Sequence, residues 1–297
     1  MIFYLMSGRP HVPYLLTSIY SLRTRANYDG VIRVYAWEES YDLIREISNR
    51  TRGFLNFNVL PRTPEYRGKN SQFFDKVKLS NELADAGSDY EAFLYLDADA
   101  MPVKSLDYML SMAKTHKGFV ATQFADWVSN IGNPRKRLAP LQNYRVDQTY
   151  VRRAMTQPYP SPNGGVFAFS PEAKAPLKKW LSDTDLVKEE VFIADEVVLH
   201  TVVAAFNGRG LNVMHSGVYN ASPKYFNWNG DQEPYVIHFH GDSNCKKKGD
   251  GQWKSERGVD LWLPVLRACW ERNLGDIRDW LDSVGNKHIN QNILELL

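Results

Sequence analysis

The strongest constraint on the fold lies in roughly the first sixty residues, where apolar strands and amphipathic helices alternate. Ile2-Phe3-Tyr4-Leu5-Met6 is continuously apolar and is cut by Ser7-Gly8, which predicts a strand covered on both faces. Leu15, Leu16, Ile19, Tyr20 and Leu22 then recur at helical spacing, with Pro13 suited to the first turn. Val31–Ala36 reads as a second strand, Tyr41–Ser48 as a second helix and Phe57–Leu60 as a third strand. That order predicts a doubly wound α/β unit, in which ligands sit beyond the carboxyl ends of the strands. No G-x-G-x-x-G follows the first strand and there is no Walker loop. Any nucleotide phosphate must therefore be held by something other than a glycine-cradled backbone.

Composition narrows the class. The 297 residues, 43% hydrophobic and 24% charged, suffice for one large domain or two small ones. Fourteen Phe, sixteen Tyr and eight Trp exclude intrinsic disorder. Thirty-six basic against 34 acidic residues leave a net charge of +2, too little for a protein that coats nucleic acid. Cys245 and Cys269 are too few for a disulfide framework and read as reduced thiols. No apolar run reaches the length of about eighteen residues that a membrane helix needs. Met1–Met6 is shorter than a signal-peptide core and no basic region precedes it. The expectation is a soluble, cytoplasmic protein.

The chemistry concentrates at Phe93-Leu94-Tyr95-Leu96-Asp97-Ala98-Asp99. Four apolar residues predict a buried strand, and two carboxylates follow where it runs out. On an extended backbone Asp97 and Asp99 would point the same way. Two like charges so placed repel each other unless a cation lies between them, and a divalent metal could also bridge to a diphosphate. The competing interpretation makes Asp97 a turn starter and Asp99 the cap of the next helix.

Tyr95-Leu96-Asp97-Ala98-Asp99-Ala100-Met101-Pro102 resembles the Y-L-D-A-D strand of the family-8 retaining glycosyltransferases, the group containing glycogenin and bacterial lipopolysaccharide galactosyltransferases. Four further segments resemble that family's motifs in the same order. They are Phe73-Phe74-Asp75-Lys76-Val77-Lys78, Asn163-Gly164-Gly165-Val166-Phe167, Ala194-Asp195-Glu196-Val197-Val198-Leu199 and Val236-Ile237-His238-Phe239-His240-Gly241. Two segments depart from the pattern. The first strand ends in Ser7-Gly8-Arg9-Pro10 rather than Thr-Asn-Asp, and the last motif runs into Asp242-Ser243-Asn244-Cys245-Lys246 rather than Lys-Pro-Trp.

The resemblance implies a GT-A type, Rossmann-like α/β single domain with a mixed central sheet flanked by helices and a helical C-terminal segment. Residues 1–250 would form the transferase domain, with 1–105 its nucleotide-binding half and 106–250 its acceptor half, and 251–297 a helical extension. It implies transfer of a hexose from a nucleotide-diphosphate sugar, with UDP favoured, to an acceptor hydroxyl with retention of configuration. Asp97, Asp99 and His238 would hold Mn²⁺ or Mg²⁺, and Asp195, Asn163 and Lys76 would serve the reacting sugar. Ser7, Gly8, Tyr14, Lys76, Asp97, Ala98, Asp99, Asn163, Gly164, Glu196, His240, Gly241 and Lys246 would line the nucleotide-sugar site. Plainer readings stand beside these: His238 as a core histidine, Lys76 as a solvated helix charge, Asp195 as a helix-cap acid and the glycines as a strand bulge.

The acceptor side is expected in residues 129–160, where Arg135, Lys136, Arg137, Arg145, Arg152 and Arg153 face Asp147 alone and five prolines at 134, 140, 158, 160 and 162 break the segment and its exit into turns. Tyr144, Tyr150 and Tyr159 lie among the arginines. The segment would suit an anionic acceptor: a glycan, a lipid head group or nucleic acid with a hydroxylated base. A solvated basic loop is the bland alternative. Lys246-Lys247-Lys248 would extend the field. Two other classes fit parts of the pattern: a sugar-phosphate nucleotidyltransferase, though Ser7-Gly8-Arg9-Pro10 is a poor phosphate loop, and a non-catalytic binding protein on a degenerate transferase fold.

Overall fold

In the computed structural model the residues described are 1–87, 89–125, 134–214, 217–223, 226–227, 231–239, 256–271 and 275–283. The first apolar run forms strand β1 (Ile2–Met6), buried along its whole length. It is followed by β2 (Ile32–Trp37), β3 (Asn58–Arg62), β4 (Phe93–Leu96), β5 (Ala100–Pro102), β6 (Phe119–Ala125), β7 (Ser161–Phe169), β8 (Leu211–Met214) and β9 (Val236–His238). Seven of these make one mixed sheet in the order β3-β2-β1-β4-β7-β6-β8, flanked by helices, and β5 pairs with β9 in a separate two-stranded ladder. β1, β2 and β3 run parallel, β7 runs antiparallel to β6, and β8 runs parallel to β6. The expected mixed α/β architecture is the one present. No helix among the described residues is long and apolar enough to cross a membrane.

Two compact units divide the chain. One comprises Met1, Pro64–Tyr95 and Asp107–Asn220, the other Ile2–Thr63, Leu96–Leu106 and Ala221–Leu297. The core of the first is an aromatic ladder. Phe93 stacks on Phe169 at 5.1 Å, Tyr95 on Phe167 at 5.0 Å and Phe119 on Phe167 at 5.5 Å. Strand alternation puts each of these rings on one face of the sheet, and offset stacking adds about 0.5–1.5 kcal/mol per pair beyond the area buried. Trp180, from helix Lys174–Val187, closes the ladder edge-on, 5.1 Å from Phe167 and 5.5 Å from Phe119.

In the second unit, helix Val12–Thr24 is fastened by buried hydroxyls. Ser18 Oγ donates to the Ala100 carbonyl and Ser21 Oγ to the Pro102 carbonyl, both at 2.5 Å, and Tyr4 Oη lies 3.0 Å from Ser18 Oγ. Helix Glu256–Trp270 belongs to this unit. Its Trp262 packs 4.5 Å edge-on against Phe239 and 5.2 Å from Tyr14. Cys269 is buried on the same helix, and burial pushes its thiol well above the ordinary range. Cys245 and the final Ile293–Leu297 lie outside the described residues.

The segment expected as turns is more ordered than its prolines suggest. Helices span Pro134–Leu138 and Gln148–Thr156, and the Asp147 carboxylate caps the second by accepting from the Thr149 amide at 2.9 Å. Pro140 falls in the first turn of a short 3-10 helix, Ala139–Asn143, where a missing N–H costs nothing.

Candidate functional site

In the second unit, β4 stops at Leu96 and the chain turns at once. The Ala100 amide donates to the Asp97 carbonyl at 3.0 Å, closing a four-residue turn. The two carboxylates converge through this turn, not through the extended alternation expected from sequence. β5 then runs antiparallel to β9 with Ala100 opposite His238. The Phe239 amide donates to the Asp99 carbonyl at 3.0 Å and the His238 amide to the Ala221 carbonyl at 2.9 Å, so both sides of the pairing are fixed.

As a result His238 Nε2 lies 3.3 Å from Asp99 Oδ1 and 3.6 Å from Asp97 Oδ2. One ligand atom from each of the three residues falls within 4.8 Å of the others. The aspartates are about one-third exposed (31% and 32%) and the imidazole is 2% exposed, so the cluster is open on its carboxylate side. Two hard oxygen donors and one imidazole nitrogen form a donor set that suits Mn²⁺ or Mg²⁺. The residues present therefore fit a divalent cation.

The first unit holds the remaining charges. Lys76, midway along helix Ser71–Asp85, is 5% exposed and its Nζ lies 2.6 Å from Asp195 Oδ2, itself 1% exposed. The ammonium also faces the rings of Tyr95 at 5.4 Å and Phe73 at 5.8 Å. Asp195 stands in the first turn of helix Ala194–Phe206, where the helix dipole favours a negative charge. The other carboxylate oxygen, Oδ1, is buried and has no hydrogen-bond partner among the described residues. The helix is followed by Gly208 and Gly210, which both take positive φ (73° and 88°).

Glu196, the next residue, has its own cation. Its Oε1 pairs with Arg137 and its Oε2 accepts from Asn163 Nδ2 at 2.5 Å. Burial pulls the Arg137 guanidinium below its ordinary value, and the negative charge of Asp195 opposes that pull. Asn163 Oδ1 accepts from the Gly165 amide at 2.8 Å and from Asn220 Nδ2 at 3.0 Å, and Asn220 also reaches Thr122 Oγ1 at 3.0 Å. Both ends of the Asn163 amide are thus engaged within the protein, and its amide is a strut for Glu196.

The paired glycines have two different reasons. The register between β6 and β7 slips beside Ala121 and Thr122, so Gly164 and Gly165 lie in an irregular stretch. A Cβ on Gly164 would come within 2.6 Å of Asp195 Oδ2 and 3.1 Å of Lys76 Nζ. The close approach is to the buried ion pair. One turn beyond Glu196, His200 Nδ1 lies 3.0 Å from the Glu196 carbonyl and Nε2 lies 3.0 Å from Ser161 Oγ. Burial, reinforced by Arg137, lowers this ring's pKa to about 3.

The nucleotide-side residues expected after β1 are placed less tellingly. Ser7 and Gly8 are half-buried, and Gly8 has φ −170°, an extended conformation open to any residue. The Tyr14 ring is engaged by Trp262. His240, Gly241 and Lys246 lie outside the described residues. In the basic segment Arg137 is turned inward, Tyr144 donates to Glu190 at 2.5 Å, and Arg153 donates to Gln157 at 3.0 Å. Among the described side chains there, Lys136, Arg145 and Arg152 are exposed cations. Arg137, Asn220, Thr122 and His200 had no motif to mark them: Arg137 was one of six in a charge run, and the others are single polar residues among apolar neighbours.

No protein-family model matches this sequence, and no curated protein matches it. Solved structures do. The galactosyltransferase LgtC, in complex with donor and acceptor sugar analogues, superposes with a TM-score of 0.56 at 16% identity over 88% of this chain and 95% of its own. The bifunctional glycosyltransferase WbbM, in its apo form, gives 0.59 at 11% identity over 89% of this chain, which spans about half (49%) of WbbM. Apo mouse xyloside xylosyltransferase 1 gives 0.51 at 11% identity over 80% of this chain and 96% of its own. At such identities the likeness defines the fold: this is a GT-A type mixed α/β chain.

Two outcomes follow from the buried charges. Gly164→Ala forces the Lys76–Asp195 pair apart and is expected to destabilise the protein by about 2 kcal/mol or more in urea unfolding. Gly53→Ala, where nothing lies within 4 Å of the added carbon, is the control. In the unfolded chain His200 takes up a proton near pH 6.5, whereas the folded ring stays neutral to about pH 3. The unfolded state therefore binds the extra proton in that window, so the contribution is complete above pH 6.5 and declines as pH falls, by at most about 1.4 kcal/mol per pH unit. Unfolding at pH 7 and pH 5.5 should show a smaller pH penalty in His200→Gln than in the parent protein.

Proposed function

We propose that this protein is a metal-dependent glycosyltransferase that moves a hexose from a nucleotide-diphosphate sugar, with UDP the favoured nucleotide, to an acceptor hydroxyl. The observation that carries the reading is the convergence of Asp97, Asp99 and His238 within 4.8 Å at a strand end of a GT-A fold. The hard step in glycosyl transfer is departure of the diphosphate, on which negative charge grows as the anomeric carbon becomes cationic. A divalent cation, Mn²⁺ or Mg²⁺, held by the two aspartates and the histidine would supply charge neutralisation to that leaving group.

The protein's own groups have distinct duties. Asp97 and Asp99 bind through their exposed oxygens, and His238 limits access from the buried side. Asp195 is assigned to a donor-sugar hydroxyl through Oδ1, with Lys76 fixing the other carboxylate oxygen. Glu196, Asn163 and Arg137 brace the helix start that carries Asp195. Retention of configuration is the outcome that the family-8 resemblance favours. The acceptor's chemistry is proposed from the exposed Lys136, Arg145 and Arg152, which suit an anionic glycan or lipid head group.

Asp97→Asn or Asp99→Asn should weaken Mn²⁺ binding, followed by the ion's electron paramagnetic resonance signal, by about tenfold or more, with near-UV circular dichroism unchanged. In the parent protein a UDP-hexose with Mn²⁺ should raise the melting temperature, and chelation should remove both that shift and hexose release. Unchanged Mn²⁺ affinity in both variants would exclude the metal site. Pyrophosphate release from a nucleoside triphosphate and a sugar phosphate would favour nucleotidyl transfer instead.

A further inference from the structure

The contacts around the Lys76–Asp195 pair close on themselves. Lys76 Nζ faces the Tyr95 ring at 5.4 Å, Tyr95 stacks on Phe167 at 5.0 Å, and Trp180 meets Phe167 edge-on at 5.1 Å with planes at 80°. Trp180 Nε1 donates to the Asp195 carbonyl at 2.7 Å, and Asp195 Oδ2 returns to Lys76 Nζ at 2.6 Å. All five side chains are buried, so in a close-packed interior none can shift without displacing the next. The stacked rings of the sheet thus reach the lysine at one end and the aspartate at the other.

The indole bond is the link that packing alone does not require. A carbonyl in the first turn of an α-helix already accepts from the amide four residues on, so the Asp195 carbonyl has no deficit for Trp180 to fill. Nor must a buried indole find a partner in this chain. Trp262 and Trp270 are equally buried, and neither Nε1 has a hydrogen-bond partner among the described residues. The bond pins the main chain at Asp195, and Asn70 Nδ2 pins it four residues earlier through the Val191 carbonyl at 2.9 Å. Between these anchors Ile193 is held at φ 53° and ψ 47°, left-handed backbone that a β-branched residue adopts only where its surroundings impose it. The strain marks a segment whose ends are fixed more firmly than its own residues prefer.

We propose that Trp180 is a positioning residue for Asp195: its indole N–H sets the main chain there, so that the carboxylate keeps its contact with Lys76 and its orientation in the site. The consequence for the reaction rests on the glycosyl-transfer reading, in which Asp195 serves the donor sugar. Trp180 touches neither sugar nor metal and acts through the aspartate alone.

The test replaces Trp180 in the whole protein with benzothienylalanine, which keeps the ring's shape and puts sulfur where the N–H stood; Trp180→Phe is the second variant, and Trp270→Phe the control for loss of a buried indole. The ion pair is read first, with EDTA and no donor, from the ζ-ammonium resonance of Lys76 in ¹H–¹⁵N NMR, assigned by its disappearance in Lys76→Arg. Both Trp180 variants should shift that resonance or broaden it away, and Trp270→Phe should leave it in place. With a UDP-hexose and Mn²⁺, both Trp180 variants should then lose about tenfold or more in kcat for hexose release, with the donor KM within about twofold of the parent's, and the control should lose neither. An unchanged Lys76 resonance in the benzothienylalanine protein would overturn the proposal, as would full hexose release where the resonance has moved. A parent protein without a Lys76 ammonium resonance would remove the ion pair and the proposal with it. Failure of the parent protein to release hexose would instead remove the reaction assigned above, while the resonance still reports whether Trp180 positions Asp195.

Discussion

Two carboxylates in succession, Asp195 and Glu196, are buried at the start of one helix, and most of the first unit's polar architecture answers that fact. An ionised carboxylate out of water needs a cation and hydrogen bonds, or it gives up its charge. Here the helix dipole favours both, and each also has a separate positive partner, Lys76 from one helix and Arg137 from another. Asn163 and Asn220 complete the second pair. The four charges cancel, so the unit can keep them buried, and among the described residues Oδ1 of Asp195 has no hydrogen-bond partner.

The second unit solves a different problem. Asp97 and Asp99 converge on an imidazole buried at the base of the cluster. The backbone ladder between β5 and β9 makes the geometry possible, because it brings a residue from far along the chain opposite the turn. The serines of helix Val12–Thr24 hold β5 from behind through its carbonyls. A triad open on its carboxylate side is suited to bind a cation already carrying a phosphate-bearing ligand.

Much of the architecture was legible in the sequence because it is local. The two-sided apolar runs gave β1 and β4 to the residue. Asp97, Asp99 and His238, the residues expected through motif resemblance to hold a metal, have one ligand atom each within 4.8 Å of the others, but the route differs: a turn, where alternation along a strand was expected. What could not be read is long-range. Nothing in Pro134–Leu138 distinguishes Arg137 from Lys136, yet one is turned inward and the other outward by a contact 59 residues away. Ile193 was equally silent: it takes a left-handed backbone before the helix start that no propensity would assign to isoleucine.

Gly164 offers a last consequence. A Cβ at this position would lie so close to the Lys76–Asp195 contact that these three positions share one small volume. None of them is free to drift alone: a side chain at 164 is admissible only if the lysine or the aspartate shortens or withdraws in the same lineage. Among chains of this shape, the presence or loss of that glycine should track the fate of the other two, which makes it a marker of inherited chemistry even where overall sequence similarity has faded.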